Sequence, residues 1–228
     1  MSIKLTWFGH ATWMLSTTRH RILIDPFFEQ NPSCSTDPAD VEADFIVVSH
    51  GHFDHVADCA AIANRLNIPV LANFEIATWL EKEHAVKHCI GMNVGGKTEQ
   101  EFGSLKLTPA LHSSQLPDGS YGGVAAGLLF RVDNLDFYFA CDTALFSDMK
   151  LIGEIGLEVA ILPIGDVYTM GIEDSVTATQ WLKPRIVFPT HYNTWPPIAQ
   201  DANEWADFVR GRTGAKPVVL QPGETYEI

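Results

Sequence analysis

The motif His-x-His-x-Asp-His constrains this chain of 228 residues more than any other feature, and it is formed by His50, His52, Asp54 and His55. It follows an apolar run over residues 44–49 that is typical of a buried β-strand. In a loop leaving a strand, alternate side chains share a side, so His50 and His52 can face one point. After a turn, Asp54 and His55 can face a second point close by. Neutral imidazole and carboxylate groups bind zinc and other first-row metals, so the motif predicts a metal site.

Three further metal-competent side chains follow apolar runs elsewhere in the chain: His112, Asp142 and His191. The carboxyl ends of strands in α/β sheets commonly carry the functional site, so we expect these residues to join the motif. Together the candidates exceed the four ligands of a structural zinc site. They favour two metal ions, typically ~3.5–4 Å apart, with open coordination positions; a structural metal site is the alternative. Asp25 follows the apolar run 21–24 and is expected either to hold an imidazole from behind or to start a turn.

Short apolar runs alternate with helical patterns in both halves of the chain, and hairpin signals occupy the middle. Strands are predicted over residues 3–8, 21–24, 44–49, 69–72, 97–102, 105–109, 124–132, 135–140, 158–164, 185–190 and 217–220. Helices are predicted over residues 56–66, 75–83, 173–182 and 202–212. This alternation predicts one mixed α/β domain spanning residues 1–228.

Composition argues against several classes of function. The formal net charge is −13, with 15 Lys and Arg against 28 Asp and Glu, which argues against binding to a nucleic-acid backbone. No apolar run approaches the ~20 residues of a membrane helix, and no secretory signal is recognisable. We therefore expect a cytoplasmic protein without a stable membrane anchor. The four cysteines are widely spaced and lack a C-x-x-C pair, so free thiols are expected.

The motif, followed in order by His112, Asp142 and His191, resembles the metallo-β-lactamase superfamily over essentially the whole chain. More narrowly, the sequence resembles the small metal-dependent hydrolases akin to L-ascorbate-6-phosphate lactonase and, more distantly, N-acylphosphatidylethanolamine phospholipase D. The segments that carry this narrower resemblance are Phe8-Gly9-His10-Ala11, Ile24-Asp25-Pro26-Phe27, His112-Ser113-Ser114, Asp142-Thr143, Leu162-Pro163-Ile164-Gly165-Asp166, Tyr168-Thr169-Met170-Gly171 and His191-Tyr192-Asn193-Thr194.

The resemblance implies a four-layer αββα sandwich of two mixed β-sheets flanked by helices, with the metals at one edge between the sheets. It also implies a ligand assignment. The first metal would be bound by His50, His52 and His112, the second by Asp54, His55 and His191, with Asp142 bridging the two. Cys141 departs from the family pattern, because a glycine commonly precedes the bridging aspartate.

The predicted function is metal-dependent hydrolysis of a small ester, lactone or phosphodiester, which could be anionic. Two divalent ions, Zn or Mn in the first place and Fe or Co as alternatives, would lower the pKa of a shared water from 15.7 toward ~7 and supply hydroxide. Asp54 is the predicted catalytic residue, which could orient this hydroxide and accept its proton. Candidate substrate contacts, for which ordinary packing is an equal alternative, are His10, Tyr168, Thr169, Tyr192 and Asn193.

Other functions stay open at the level of sequence. One alternative is a phospholipase D-like or nuclease-type phosphodiesterase of the same superfamily, although the net charge of −13 disfavours a nuclease. Iron redox enzymes of the superfamily typically carry Glu at the position of His52 and need a flavin domain. A non-catalytic metal-binding protein would hold one metal or keep the site closed to water. Related lactonases assemble into oligomers, so we expect a homo-oligomer that binds a small molecule.

Overall fold

Two seven-stranded β-sheets pack against each other and share an apolar core. The computed structural model describes residues 2–228. In spatial order, the first sheet contains β14 (Thr225–Glu227), β1 (Lys4–Trp7), β2 (Trp13–Ser16), β3 (Arg21–Ile24), β4 (Phe45–Val47), β5 (Val70–Asn73) and β6 (Cys89–Met92). The second sheet contains β13 (Lys216–Pro217), β12 (Ile186–Thr190), β11 (Val159–Pro163), β10 (Leu135–Phe139), β9 (Ala126–Val132), β8 (Gly103–Pro109) and β7 (Lys97–Gln100).

Helices cover the outer faces of both sheets. They are α1 (Phe53–Val56), α2 (Cys59–Leu66), α3 (Phe74–His84), α4 (Met149–Gly153), α5 (Ile172–Leu182) and α6 (Ala202–Arg212), with single 3₁₀ turns at Pro38–Asp40 and Pro196–Ile198. Ile62 of α2 and Leu80 of α3 pack with Ile46 on one outer face. Val176 of α5 and Trp205 of α6 belong to the core of the second sheet. The predicted four-layer αββα sandwich is therefore confirmed. Over residues 2–228, none of the helices combines the length and apolar character needed to traverse a bilayer.

Each sheet is mixed, and its parallel strands are the apolar ones. Strands β3 to β6 pair in parallel in the first sheet, and β10 to β13 do so in the second. Every residue of β5, β11 and β12 is buried, as expected for strands covered on both faces. By contrast, β7 alternates between exposed and half-buried residues at a sheet edge. Parallel strands end at a common edge, and these ends carry the predicted site residues.

Most predicted elements lie within a few residues of the observed ones, and β3 and α6 coincide with their predicted bounds. The helix predicted over 56–66 is wrong as one element, because the chain forms α1 inside the motif and then restarts at α2. The strand predicted over 217–220 is shorter than expected, since β13 pairs with β12 only through Lys216 and Pro217. Strands β2, β6 and β14 and helix α4 had no sequence prediction. They are three to five residues long, and tertiary pairing rather than local pattern determines them.

Candidate metal centre

Left-handed backbone conformations surround the site. His10, Asp25, Cys141 and His191 have φ values of 51°, 46°, 54° and 54°. Residues other than glycine rarely adopt this conformation, and when they do so near one another the surrounding structure holds them there. Three backbone or side-chain donors hold the carbonyl of His10: the His191 amide at 2.9 Å, the Thr190 hydroxyl at 2.7 Å and the Trp7 indole at 3.0 Å. These hydrogen bonds join the turn at His10, between β1 and β2, to the end of β12.

The first ligand set consists of His50, His52 and His112, whose ring nitrogens converge. Nε2 of His50 lies 2.9 Å from Nδ1 of His52, and Nε2 of His112 lies 3.3 Å from the same atom. Burial lowers the pKa of each of these three imidazoles. They are therefore neutral near pH 7 and offer lone pairs to a common point, which is the form in which histidine binds metals.

The second set consists of Asp54, His55 and His191, which lie with His10 in one group whose ligand atoms are all within 4.8 Å of one another. Asp142 faces both sets. Its Oδ2 atom lies 3.0 Å from Nε2 of His191 and 3.4 Å from Nε2 of His55. The same oxygen lies 3.6 Å from Nε2 of His112 and 3.9 Å from Nε2 of His50. The predicted ligands thus come together as two adjacent sets with a carboxylate between them.

Asp25 holds the second set from behind. Its carboxylate accepts hydrogen bonds from Nδ1 of His55 at 2.8 Å and from the Ser49 hydroxyl at 2.6 Å and amide at 2.7 Å. Because Nδ1 of His55 is used in this way, Nε2 is directed toward Asp142. Ser49 Oγ in turn lies 3.0 Å from Nδ1 of His50 and orients that ring as well. Supporting carboxylates of this kind fix the tautomer and direction of metal-binding imidazoles.

The charges of the site fit a divalent cation. Burial lowers the pKa of His55, but Asp142 and Asp25 raise it, and the carboxylates prevail, so the pKa lies well above its ordinary value. Burial likewise acts to raise the pKa of Asp142, whereas His191 and His55 hold it well below its usual range. Nε2 of His55, Oδ1 of Asp142 and Nδ1 of His191 are buried without a hydrogen-bond partner. Orphaned polar atoms beside buried carboxylates indicate a site that binds positive charge.

A cavity of about 780 Å³ opens onto the two ligand sets. Its lining includes four ligand residues, His52, Asp54, His112 and His191, together with Asp142. The other lining residues are Phe53, Ser113, Gln115, Leu116, Pro117, Val167, Tyr168 and Trp195. This volume lies in the range of small-molecule sites, and the ligand sets form its polar end.

Comparison with known proteins agrees with this geometry. Residues 4–191 match the Beta-lactamase superfamily domain. The UPF0173 metal-dependent hydrolase TTHA1283 of Thermus thermophilus is 44% identical over 226 residues, which cover 99% of each chain. The chain belongs to the metal-dependent hydrolases of the metallo-β-lactamase superfamily.

Solved structures show the same relationship. Igni18, a metallo hydrolase from the hyperthermophilic archaeon Ignicoccus hospitalis, aligns with a TM-score of 0.91 at 36% identity, over 100% of the present hydrolase and 99% of that chain. The metallo-beta-lactamase fold protein YhfI from Bacillus subtilis aligns with a TM-score of 0.77 over 100% and 99% of the two chains. At 10% identity, this second likeness concerns the fold alone.

The predicted substrate contacts of the hydrolase separate into two groups. Tyr168 lines the cleft, as expected. Tyr192 and Asn193 line a different cavity, where Tyr192 stacks on Trp7 and the Asn193 side chain accepts a hydrogen bond from the Gln200 amide. The turn after His191 directs these two residues toward that second cavity, so their contact with substrate stays a prediction.

Thr169 and His10 are the other two predicted contacts that do not line the cleft. The Thr169 hydroxyl donates to the Met170 carbonyl at 3.3 Å, a bond within its own loop. His10 is completely buried, and both of its ring nitrogens are engaged. In this arrangement, therefore, the Thr169 hydroxyl bonds within its own loop and His10 lies behind Asp54, and direct contact of either side chain with substrate stays a prediction.

His10 orients Asp54. Nε2 of His10 lies 2.9 Å from Oδ2 of Asp54, and Nδ1 lies 2.8 Å from the Thr194 hydroxyl. Burial acts to raise the pKa of Asp54, but the hydrogen bond from His10 and the charge of His55 outweigh it and lower that pKa. An ionised carboxylate only accepts hydrogen bonds, so Nε2 of His10 carries the proton and Nδ1 accepts from Thr194.

In the metal-free hydrolase, His10→Gln is expected to reduce the loss of stability between pH 6.5 and pH 4. Burial and the neighbouring His191 lower the pKa of His10 from 6.5 to about 4. Between pH 6.5 and pH 4, His10 is protonated in the unfolded chain but still neutral in the folded one. Its titration therefore lowers the free energy of unfolding by about 3 kcal/mol as the pH falls through this range. Glutamine does not titrate, and that contribution disappears.

Urea unfolding at pH 6.5, 5 and 4 measures this effect. His20→Gln is the matched control, because His20 lies outside the site and packs on Phe45. Equal pH dependence in wild type and His10→Gln would contradict the buried, neutral state of His10.

Proposed function

We propose that the chain hydrolyses a small ester, lactone or phosphodiester with two divalent metal ions. The position of Asp142 carries this proposal. Its Oδ2 atom faces His50 and His112 of one ligand set and His55 and His191 of the other, at 3.0–3.9 Å. A carboxylate that faces both ligand sets is placed to bind an ion in each of them.

The proposed ligands are those implied by the sequence. His50, His52 and His112 would bind one ion, Asp54, His55 and His191 the other, and Asp142 both. Mixed imidazole and carboxylate donors suit zinc or manganese first, with iron or cobalt as alternatives. Bound metals of this kind lower the pKa of a water molecule and polarise a carbonyl or phosphoryl group.

Asp54 is the proposed proton acceptor. Its side chain lines the cleft and is 13% exposed, whereas the other carboxylate, Asp142, is 3% exposed. The hydrogen bond from His10 fixes the Asp54 carboxylate and keeps it ionised, so that near neutral pH it can accept a hydrogen bond from an attacking water and orient it. His10 is thus a positioning residue, and Thr194 holds its tautomer.

Turnover of a substrate panel by metal-loaded protein tests the proposal. The panel contains simple esters, lactones and bis(p-nitrophenyl) phosphate, each assayed with saturating Zn²⁺ and with Mn²⁺. We expect hydrolysis of at least one class by the wild type, and its loss in His50→Ala and Asp54→Ala with circular dichroism unchanged. Full activity in both variants would overturn the proposed site.

A further inference from the structure

Large apolar side chains are exposed around the cleft. Phe53 is 47% exposed, Val167 66% and Tyr168 58%, and all three line the cavity above the ligand sets. Leu116 lines the same cavity. Scattered apolar residues are normal on a protein surface, whereas a group of them around one cavity marks a binding surface.

Phe53 and Trp195 form a fixed aromatic wall. Their ring centroids are 6.1 Å apart, and each packs on the fully buried Phe27, at 5.7 Å and 6.1 Å. Trp195 also lies 5.0 Å from the ring of His10. Because Phe53 stands between His52 and Asp54 in the metal motif, the wall is attached directly to the ligand-bearing loop. An apolar group of a substrate that packs against this aromatic wall therefore lies next to the ligand sets.

Val167 and Tyr168 are presented by a strained loop after β11. Asp166 and Val167 have φ values of 60° and 51°, and a left-handed conformation is costly for a β-branched residue. The loop is fixed by the Asp166 carboxylate, which accepts a hydrogen bond from the Val167 amide at 2.8 Å, and by the Met170 amide, which donates to Thr143 at 3.0 Å. Strain that the surrounding structure maintains at a cleft indicates a functional role.

Away from the ligand sets, the cleft favours an uncharged part of a substrate, because the lining residues that the structure describes include no lysine or arginine. Among the cleft-lining residues in the described range 2–228, the acidic groups are the carboxylates of Asp54 and Asp142. Two bound divalent ions would outweigh these carboxylates at the ligand sets. Further out, the lining residues are the uncharged Ser113 and Gln115 and apolar side chains such as Phe53, Leu116 and Val167, which give an anionic group no cationic partner. Burying a charge against apolar side chains without a partner is costly, whereas burying an alkyl or aryl group there is favourable.

We propose that the substrate is a neutral carboxylic ester or lactone whose apolar acyl or alkyl group packs against Phe53, Trp195, Val167 and Tyr168. This assignment rests on the proposed hydrolytic function. In the reaction, the oxygen of water forms a bond to the carbonyl carbon and the bond to the alcohol oxygen breaks. Asp54 accepts a proton from water and returns it to the leaving oxygen, giving an acid and an alcohol.

The metal-loaded protein is assayed with methyl acetate, methyl hexanoate and hexyl acetate by titration of the released acid. Burial of each methylene group strengthens binding several-fold. We therefore expect kcat/KM to be at least about tenfold higher for one of the longer esters than for methyl acetate. Tyr168→Ala and Val167→Ser are expected to lower that ratio at least about threefold. Tyr121→Ala is the control, because Tyr121 is 67% exposed and lies outside the cleft, and it should leave the ratio unchanged.

The outcomes separate this inference from the proposed function. Equal kcat/KM for all three esters, unaffected by Tyr168→Ala, would overturn the apolar assignment and leave hydrolysis intact. Turnover of bis(p-nitrophenyl) phosphate without any ester would also overturn it. If nothing is hydrolysed, the proposed function fails and the ester assignment fails with it. Binding of hexanamide against acetamide to the metal-free protein, observed by saturation-transfer NMR, then decides whether the cleft binds an apolar chain. Stronger binding of hexanamide that is lost in Tyr168→Ala supports it, and equal signals overturn it.

Discussion

Replacement of Asp142 by alanine is expected to reduce bound metal to at most one ion per chain and to lower kcat/KM by about 10³-fold or more. The reason is that one buried carboxylate oxygen faces four imidazole nitrogens, two from each ligand set. Without it, the two sets share no anionic ligand, and among the proposed ligands Asp54 alone would offset the positive charges of two neighbouring ions. Metal quantification and hydrolysis assays on the purified variant measure the effect.

Asp136→Ala is the matched control for this substitution. Asp136 is also buried and lies in β10, the strand that precedes Asp142, but its partner is Arg131 at 3.3 Å. We expect this variant to retain metal and activity. An Asp142→Ala protein with wild-type metal content and turnover would exclude a bridging role for Asp142.

Gly165→Ala is expected to destabilise the protein by roughly 3 kcal/mol and to weaken metal binding together with it. A Cβ atom at this position would overlap the backbone carbonyl of His191 and would lie 3.2 Å from Cβ of Ile198. The Gly165 backbone packs directly on the turn that presents His191, so the added methyl group displaces a ligand as well as straining the fold. Urea unfolding of the metal-free protein and metal titration measure the two effects separately.

Gly211→Ala provides the control for this change. Gly211 lies in α6, and a Cβ atom there would meet nothing within 4 Å. Because alanine favours the helix over glycine, we expect unchanged metal binding and a gain of up to about 1 kcal/mol in stability. If Gly165→Ala behaved in the same way, the close approach of the two turns would be of no consequence for the site.

The grouping of the candidate ligands could be predicted from the sequence, because four of them form one dense motif and the other three stand at the ends of apolar runs. His112, Asp142 and His191 each follow a strand of the second sheet, and the structure brings them to His50 and His55. The fold was predictable from the same features, since buried parallel strands have distinctive apolar runs.

The surroundings of the ligands could not be predicted in the same way. Left-handed conformations at His10 and His191 reverse the direction of the following side chains, and no sequence pattern signals them. Consequently His10 turns behind Asp54, and Tyr192 points into another cavity. Phe53 lines the cleft without having been among the predicted contacts, and its place inside the motif is the sequence signal for it. Val167 lacked any such signal, because its exposure follows from loop hydrogen bonds.

The metal content of the wild-type protein tests the central claim most directly. The protein is stripped with a chelator, reloaded with Zn²⁺ or Mn²⁺, freed of excess metal and measured by inductively coupled plasma mass spectrometry. Two adjacent ligand sets that share Asp142 predict two ions per chain. One ion or none per chain after saturation would contradict a two-metal site.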